Sequence, residues 1–417
     1  MTRETRLRIG YAAALVALFL VGLPVDAQHG SSPFEVPADV TWPGNQGVVE
    51  LPFETYRNWI VVQLSINGSR PLRMVLDTGA PMILVPQEST AATLGLGDSQ
   101  RIMVGGGGDG DMIPADLSQG VSATLGPLQI SNANVLVGPG KDVLGGLDGA
   151  FGGSVFQNAV VEIDFEAEVV RFHPPVSFEY DGAGREVALG VSPYGQPYLV
   201  DIPVEVVGRD EILAKLHLDT GRSSALQLWM DSPSAGYATV ESIVGWGVSG
   251  PESASVGRVA SVELGGLRLE SIPAGFKPDA PLARMAPGLR LDGAIGVEAL
   301  RRFRLFVDYR GGRAIFEKGD RYAVPFPYNT TGVVPAPWAP GESSMTVAWL
   351  VPGSPAERAG MMRGDEIITI DGSSLSELPL TRIFTVWESG AGTSITLRVR
   401  RAGEDFDVTL TARELLS

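Results

Sequence analysis

Met74-Val75-Leu76-Asp77-Thr78-Gly79-Ala80 and Leu216-His217-Leu218-Asp219-Thr220-Gly221-Arg222 are two copies of one pattern, an apolar run that ends in Asp-Thr-Gly. One such triplet says little, because Asp and Gly are ordinary turn residues. The second copy changes its weight. Asp219 follows Asp77 by 142 positions. A later pair, Leu147-Asp148-Gly149-Ala150-Phe151-Gly152 and Leu291-Asp292-Gly293-Ala294-Ile295-Gly296, keeps nearly the same register, at 144. Between them, Ser122-Ala123-Thr124-Leu125-Gly126-Pro127-Leu128 answers Ser261-Val262-Glu263-Leu264-Gly265-Gly266-Leu267. Several blocks in one register argue for duplication of a domain, and two copies are too few for a solenoid. The pattern predicts a pseudo-two-fold pair of lobes.

Both lobes read as β. The alternating Ile60–Ile66 answers Leu199–Val204. Each copy closes on a strand, a polar turn and a strand: Val160–Phe165 with Val169–Phe172, then Leu305–Tyr309 with Ala314–Phe316. Helical periodicity is scarce before residue 340, and one short helix is expected over Val297–Phe303.

Each Asp falls where an apolar strand meets a tight turn, and Gly79 and Gly221 let the next peptide approach closely. Two copies of such a turn on an axis bring two carboxylates together. Facing carboxylates cannot both ionise easily, so their pKa values split and one proton is shared. The ionised member takes a proton from water while the protonated one polarises a carbonyl. Other chemistries lack their residues. The chain has no Cys, and His29, His173 and His217 show no ligand spacing. There is no Gly-x-Ser-x-Gly elbow. No metal and no cofactor are expected. Gly105–Gly110 contains a formal Gly-x-Gly-x-x-Gly, but no helix start follows it, so it reads as a hairpin tip placed to cover a substrate. His217 lies on the same strand face as Asp219. It reads as a packed strand histidine, with a pKa-tuning role as the alternative.

On these residues, the two halves resemble the retropepsin-like and pepsin-like aspartic proteases over roughly residues 55 to 320. The resemblance implies a mainly β protein of two pseudo-symmetric retropepsin-like lobes that acts on polypeptide. It implies Asp77 and Asp219 as the catalytic pair, supported by Thr78, Gly79, Thr220 and Gly221, with the two threonines tying the loops together. Arg222 stands where that family usually carries a small or hydroxyl residue, and no flap tyrosine can be assigned.

After Phe316 the composition shifts. Pro325, Pro327, Pro335, Pro337 and Pro340 suggest a semi-rigid linker over residues 321–340. Beyond it, Val347-Ala348-Trp349-Leu350-Val351-Pro352-Gly353-Ser354-Pro355-Ala356-Glu357-Arg358-Ala359-Gly360 and Arg363-Gly364-Asp365-Glu366-Ile367-Ile368-Thr369-Ile370-Asp371-Gly372 resemble bacterial PDZ domains. Residues 341–415 are assigned to that module. The resemblance implies that it binds peptide or C-terminal segments as an added strand. A groove is expected between the strand Met345–Leu350 and a helix near Leu380–Trp387, with Met345, Val347, Ile383 and Val386 as its pocket residues.

Arg3, Arg6 and Arg8 precede an apolar run from Ile9 to Leu23, and small residues follow as far as Ala27. Residues 1–27 therefore read as a secretory signal peptide. The expected location is periplasmic or secreted; an uncleaved membrane anchor is the alternative. Residues 28–54 form an N-terminal segment, 55–175 the first lobe and 176–320 the second. The net charge of −16 argues against nucleic acid or an anionic membrane as partner. Without Cys, the cores must carry the stability. Because both acidic turns lie in one chain, a monomer suffices. The expected function is an exported aspartic endopeptidase with a peptide-binding module. The rival is a catalytically silent peptide binder on the same fold.

Overall fold

The computed structural model describes residues 19–20, 38–44, 47–138, 144–233, 237–278 and 289–416. Apart from Phe19–Leu20, the expected signal peptide lies outside them. The protein is mainly β, with 50% strand and 7% helix.

The duplication is visible strand by strand. Lobe 1 orders its strands Ser99–Gly105, Ile113–Leu125, Leu128–Val137, Ile83–Val85, Gly149–Phe151, Leu72–Leu76 and Trp59–Ile66. Lobe 2 repeats that order with Val240–Gly247, Gly250–Leu264, Leu267–Phe276, Leu226–Leu228, Gly293–Gly296, Ile212–Asp219 and Pro197–Glu205. The two repeated sequence blocks are neighbours in each lobe. Gly149–Phe151 runs parallel to Leu72–Leu76, and Gly293–Gly296 runs parallel to Ile212–Asp219. Such central strands are apolar on both faces because both are covered. Asp148 and Asp292 fix the register: each accepts a hydrogen bond at 2.9 Å from the backbone N–H four residues before the acidic turn, that of Arg73 or Lys215. The expected short helix is present as Val297–Leu300, and Gly153–Phe156 answers it in lobe 1.

The terminal hairpins of the lobes join edge to edge. Val160–Asp164 pairs antiparallel with Phe303–Asp308, setting Glu162 opposite Phe306. Val49–Pro52, from the expected N-terminal segment, extends this sheet by pairing with Val169–His173. One face carries Val161, Ile163, Leu305 and Val307 into a core shared by both lobes. Glu162, 2% exposed, lies among cations: it accepts from Arg171 at 2.6 Å and from Arg304 at 2.8 Å, and His173 Nε2 is 2.8 Å away. Burial pushes its carboxyl up, but His173, Arg304 and Arg171 together outweigh that and hold it at about 2.

The C-terminal module orders its strands Val333–Pro335, Met345–Leu350, Glu366–Ile370, Ser394–Arg401 and Glu404–Thr411. Ser354 caps the helix Pro355–Arg358 by accepting from the Glu357 N–H, while the Glu357 carboxylate accepts from the Gly353 N–H. The expected linker is corrected here. Val333 and Trp338 are buried in the module's core, so the segment from residue 333 onward is its edge strand and wall. Proline suggested a spacer, but proline is also tolerated at a sheet edge. The module is docked on both lobes. Trp349 Nε1 donates to the Glu241 carbonyl of lobe 2 at 3.1 Å, and Ala336 and Ala348 pack with Trp246 and Ile243. On lobe 1, Phe384 meets Tyr56 edge to face at 5.3 Å, with the Arg57 guanidinium 5.3 Å over the same ring.

Glu162→Gln should destabilise the protein by about 2 kcal/mol at neutral pH, since it removes a buried charged acceptor from two half-buried guanidinium groups. The carboxyl's folded pKa is depressed, so its contribution is complete above the ordinary 4.5 and fades as pH falls toward about 2. Thermal melts of wild type and variant should converge over that window; equal melts at pH 7 would refute the assignment.

Candidate active site

The two Asp-Thr-Gly turns meet where the lobes abut. Thr78 donates its backbone N–H to Thr220 Oγ1 at 2.9 Å, and Thr220 donates its own to Thr78 Oγ1 at 3.0 Å. Each hydroxyl passes the bond on: Thr78 Oγ1 donates to the Leu218 carbonyl at 2.5 Å and Thr220 Oγ1 to the Leu76 carbonyl at 2.8 Å. Every bond crosses between lobes, so neither turn is positioned without the other. Inside its own turn each carboxylate accepts from the glycine two residues on, Gly79 N–H to Asp77 at 2.7 Å and Gly221 N–H to Asp219 at 3.0 Å. The second blocks lie against these loops. A Cβ on Gly152 would stand 1.8 Å from the Asp77 carbonyl oxygen, so only glycine allows that approach. On Gly221 a Cβ would stand 2.4 Å from the carboxyl atoms of Asp77. The carboxyl of one lobe thus rests on the turn of the other.

Asp77 is 1% exposed and Asp219 is fully buried. Burial, reinforced by the charge of Asp219, drives Asp77 well above the usual carboxylate range against the pull of the Gly79 and Gly221 N–H groups. Burial also raises Asp219, but Arg222 opposes it and the carboxyl settles at about 6. Arg222 faces the site rather than solvent. It is fully buried, with Nε 3.8 Å from Asp219 Oδ2 and Nη2 3.1 Å from Glu252 Oε2. His217 is fully buried, with Nδ1 3.7 Å from Asp219 Oδ2. Burial first, and Arg222 second, push it down to about 3, so it is neutral at physiological pH. Among the described residues, no group of three or more His, Asp or Glu side chains gathers to hold a metal ion.

The Gly-rich tip predicted to cover the cleft meets its counterpart in the other lobe. Asp109 N–H donates to the Pro251 carbonyl at 2.8 Å, Gly110 N–H to that of Ser249 at 2.9 Å, and Ser249 N–H to that of Gly107 at 3.1 Å. A Cβ on Gly247 would stand 1.8 Å from the Gly107 oxygen, so the two hairpin tips interlock backbone to backbone. The Asp109 carboxylate fastens the seam. It accepts from the Ser253 N–H at 2.9 Å, from the Ser253 hydroxyl and from the Lys277 ammonium.

Residues 62–155 match the aspartyl protease family, and residues 346–401 match the PDZ domain family. The chain joins an aspartyl protease domain to a PDZ domain. No curated protein matches it significantly. Among solved structures, the crystal structure of an aspartic proteinase from Irpex lacteus aligns over 67% of this chain and 99% of that one, at 13% identity and a TM-score of 0.45.

In the PDZ domain, Met345, Val347, Ile383 and Val386 come together as expected, but in the hydrophobic core, each at most 1% exposed. Met345–Leu350 is an interior strand, paired with Val333–Pro335 on one side and Glu366–Ile370 on the other. An added strand has no edge to use there, which corrects the expected groove. The outer strands are Val333–Pro335 and Glu404–Thr411, and the first is capped by its own chain: Val333 donates its N–H to Thr331 Oγ1 at 3.1 Å, and its carbonyl accepts from Asn329 Nδ2 at 2.6 Å. Sequence pattern alone misses this because an interior and an edge strand share the same alternation.

The aspartyl protease domain also uses two residues the motif search passed over. Trp59 of lobe 1 donates its indole N–H to the Gly221 carbonyl at 2.7 Å, and Gln196 of lobe 2 donates to the Gly79 carbonyl at 2.9 Å. Each lobe's first strand therefore braces the opposite acidic turn. The only trace in sequence is a buried-size Trp and a Gln at the start of the paired strands.

Gly221→Ala should keep the fold but displace the Asp77 carboxyl, lowering any dyad-dependent turnover by at least about a hundredfold. A variant with wild-type turnover would show that the Asp77 position is not critical.

Proposed function

We propose that this chain is an exported aspartic endopeptidase that hydrolyses peptide bonds with a water activated by the Asp77–Asp219 pair. The observation that carries the reading is the pair of buried Asp-Thr-Gly turns, locked by reciprocal threonine bonds and roofed by two interlocked hairpin tips. A polypeptide enters when the tips part and lies extended beneath them. With one proton on the dyad, the ionised carboxylate draws a proton from water while the protonated one donates to the scissile carbonyl. The resulting tetrahedral oxyanion is neutralised by that proton, and the leaving amine takes a proton from the dyad. Burial from bulk water strengthens each of these interactions. Export is supported by the apolar run Ile9–Leu23 behind three arginines. The PDZ domain is read as a docking site for a peptide or C-terminal segment.

Asp77→Asn and Asp219→Asn should each abolish cleavage of an unfolded-protein substrate while leaving circular dichroism unchanged. Wild-type turnover in either variant would remove the shared dyad. A wild type that binds peptide and never cleaves would favour the silent-binder rival. Activity should rise as pH passes through about 6, where Asp219 ionises while Asp77 keeps its proton. Because these carboxyls are raised in the folded state, their stabilising effect is complete below the ordinary 3.8 and is lost as pH rises through about 6. The Asn variants should therefore gain melting temperature relative to wild type between acid and neutral pH, read by differential scanning calorimetry.

Removing residues 331–417 tests the docking site. Cleavage of short peptides should persist, while cleavage of proteins that dock through a free C-terminus should fall by about a hundredfold, the scale of a lost tethered contact. Equal losses on both substrate classes would mean that the PDZ domain braces the flap rather than recruits substrate.

A further inference from the structure

A duplicated fold presents its two aspartates in equivalent settings, and a symmetric dyad has no preferred member to hold the proton. The structure breaks this symmetry on one side only. Two residues before the acidic residue, lobe 1 has Val75 and lobe 2 has His217; three residues after it, Ala80 and Arg222. On the short strand next door, Leu84 pairs with Ala150 in lobe 1, where Gln227 pairs with Ala294 in lobe 2. Val75, Leu84 and Ala150 belong to a wholly apolar cluster. Their lobe 2 counterparts His217 and Gln227 are polar, and they, Arg222 and Asp219 are all fully buried. The surroundings of Asp77 are thus low in polarity, whereas Asp219 faces a buried guanidinium.

We propose that Arg222, held by Glu252, assigns the roles in the dyad, making Asp219 the base that activates water and Asp77 the acid that protonates the substrate carbonyl. This rests on the protease reading above. Arg222 acts through Asp219 and is a positioning residue; its guanidinium makes no hydrogen bond to the carboxylate, whose Oδ2 has no partner among the described residues. Its effect is Coulombic, from 3.8 Å in a site closed to water, where such an interaction is far stronger than in solvent. The positive charge favours negative charge on the nearer carboxylate. Glu252 sets where that charge sits. It reaches Arg222 from the strand Gly250–Leu264, just past the tip of the lobe 2 flap. The other titratable groups near the pair are accounted for: His217 is neutral, Tyr309 lies toward Asp77 with its phenol raised by burial and by Asp77, and the strand Gly293–Gly296 offers only Gly, Ala and Ile. Burial and the charge of Asp219 lift Asp77, whereas Arg222 opposes the lift at Asp219, so Asp77 is the higher member of the pair.

The test titrates each carboxyl separately by carbon-13 NMR, so it does not require activity. Asp219 is followed in Asp77→Asn, and Asp77 in Asp219→Asn. Asp219 should titrate at least about one pH unit below Asp77. Adding Arg222→Met should close that gap, and Arg222→Lys should keep most of it. Because Arg222→Met leaves Glu252 buried without its cation, Arg222→Met with Glu252→Gln is the control; it should close the gap equally while restoring stability. In the otherwise wild-type enzyme, Arg222→Met should move the acidic limb of kcat/KM upward by about one unit, about a fivefold loss at the former midpoint. Glu252→Gln should move it downward. Asp77 titrating first, or a gap unchanged in both Arg222 variants, overturns the role assignment while leaving the protease reading intact. A wild type that cleaves nothing, with the gap present, overturns the protease reading instead.

Discussion

Everything near the dyad depends on one exchange of hydrogen bonds, the backbone N–H of Thr78 to the hydroxyl of Thr220 and the reverse. Buried backbone donors must find partners, and here the acceptors they meet belong to the other lobe. The lobes cannot part at this point without leaving two buried N–H groups and two hydroxyls unmatched. That constraint holds the two carboxyls on adjoining turns, buried from solvent and close enough for the charge of Asp219 to act on Asp77. Their raised pKa values then follow from burial and mutual repulsion. Trp59 and Gln196 repeat the logic one layer out, each crossing to a glycine carbonyl of the opposite turn.

The same closure that tunes the carboxyls also hides them. With both aspartates essentially unexposed, the interlocked tips form a gate. Their glycines are explained by the seam itself, since side chains at Gly108, Gly110 and Gly247 would collide with the opposing backbone. Asp109 adds a charged fastening to Lys277 and Ser253 across the lobes. Burial pushes its carboxyl up, but those partners outweigh it and hold it below its usual value, so it stays ionised in mildly acidic solution. Glu252 lies one strand turn from this seam and also grips Arg222. Gate position and dyad electrostatics therefore share a structural element.

The PDZ domain is integrated with both lobes. Its strand Met345–Leu350 packs on the lobe 2 flap strand through Trp349 and Ala348, and its helix Leu380–Thr385 packs on Tyr56 and Arg57 of lobe 1.

The duplication, the β character of both lobes, the two acidic turns and the C-terminal module were all legible in the chain, because each is a local or periodic pattern. Asp77, Thr78, Gly79 and their lobe 2 counterparts could be named for the same reason: a turn between apolar strands is written in consecutive residues. Pairing is different. The chain could not say that Met345–Leu350 lies between two strands, that proline-rich residues from 333 onward form a sheet edge, or that the glycine tips of two lobes interlock, because these facts join residues far apart in sequence. Nor could it choose between solvent and the dyad for Arg222. That choice rests on a carboxylate, Glu252, thirty positions away, which reaches the guanidinium only after two hairpins have folded over the site. A buried charge takes its meaning from its neighbours, and tertiary packing alone supplies them.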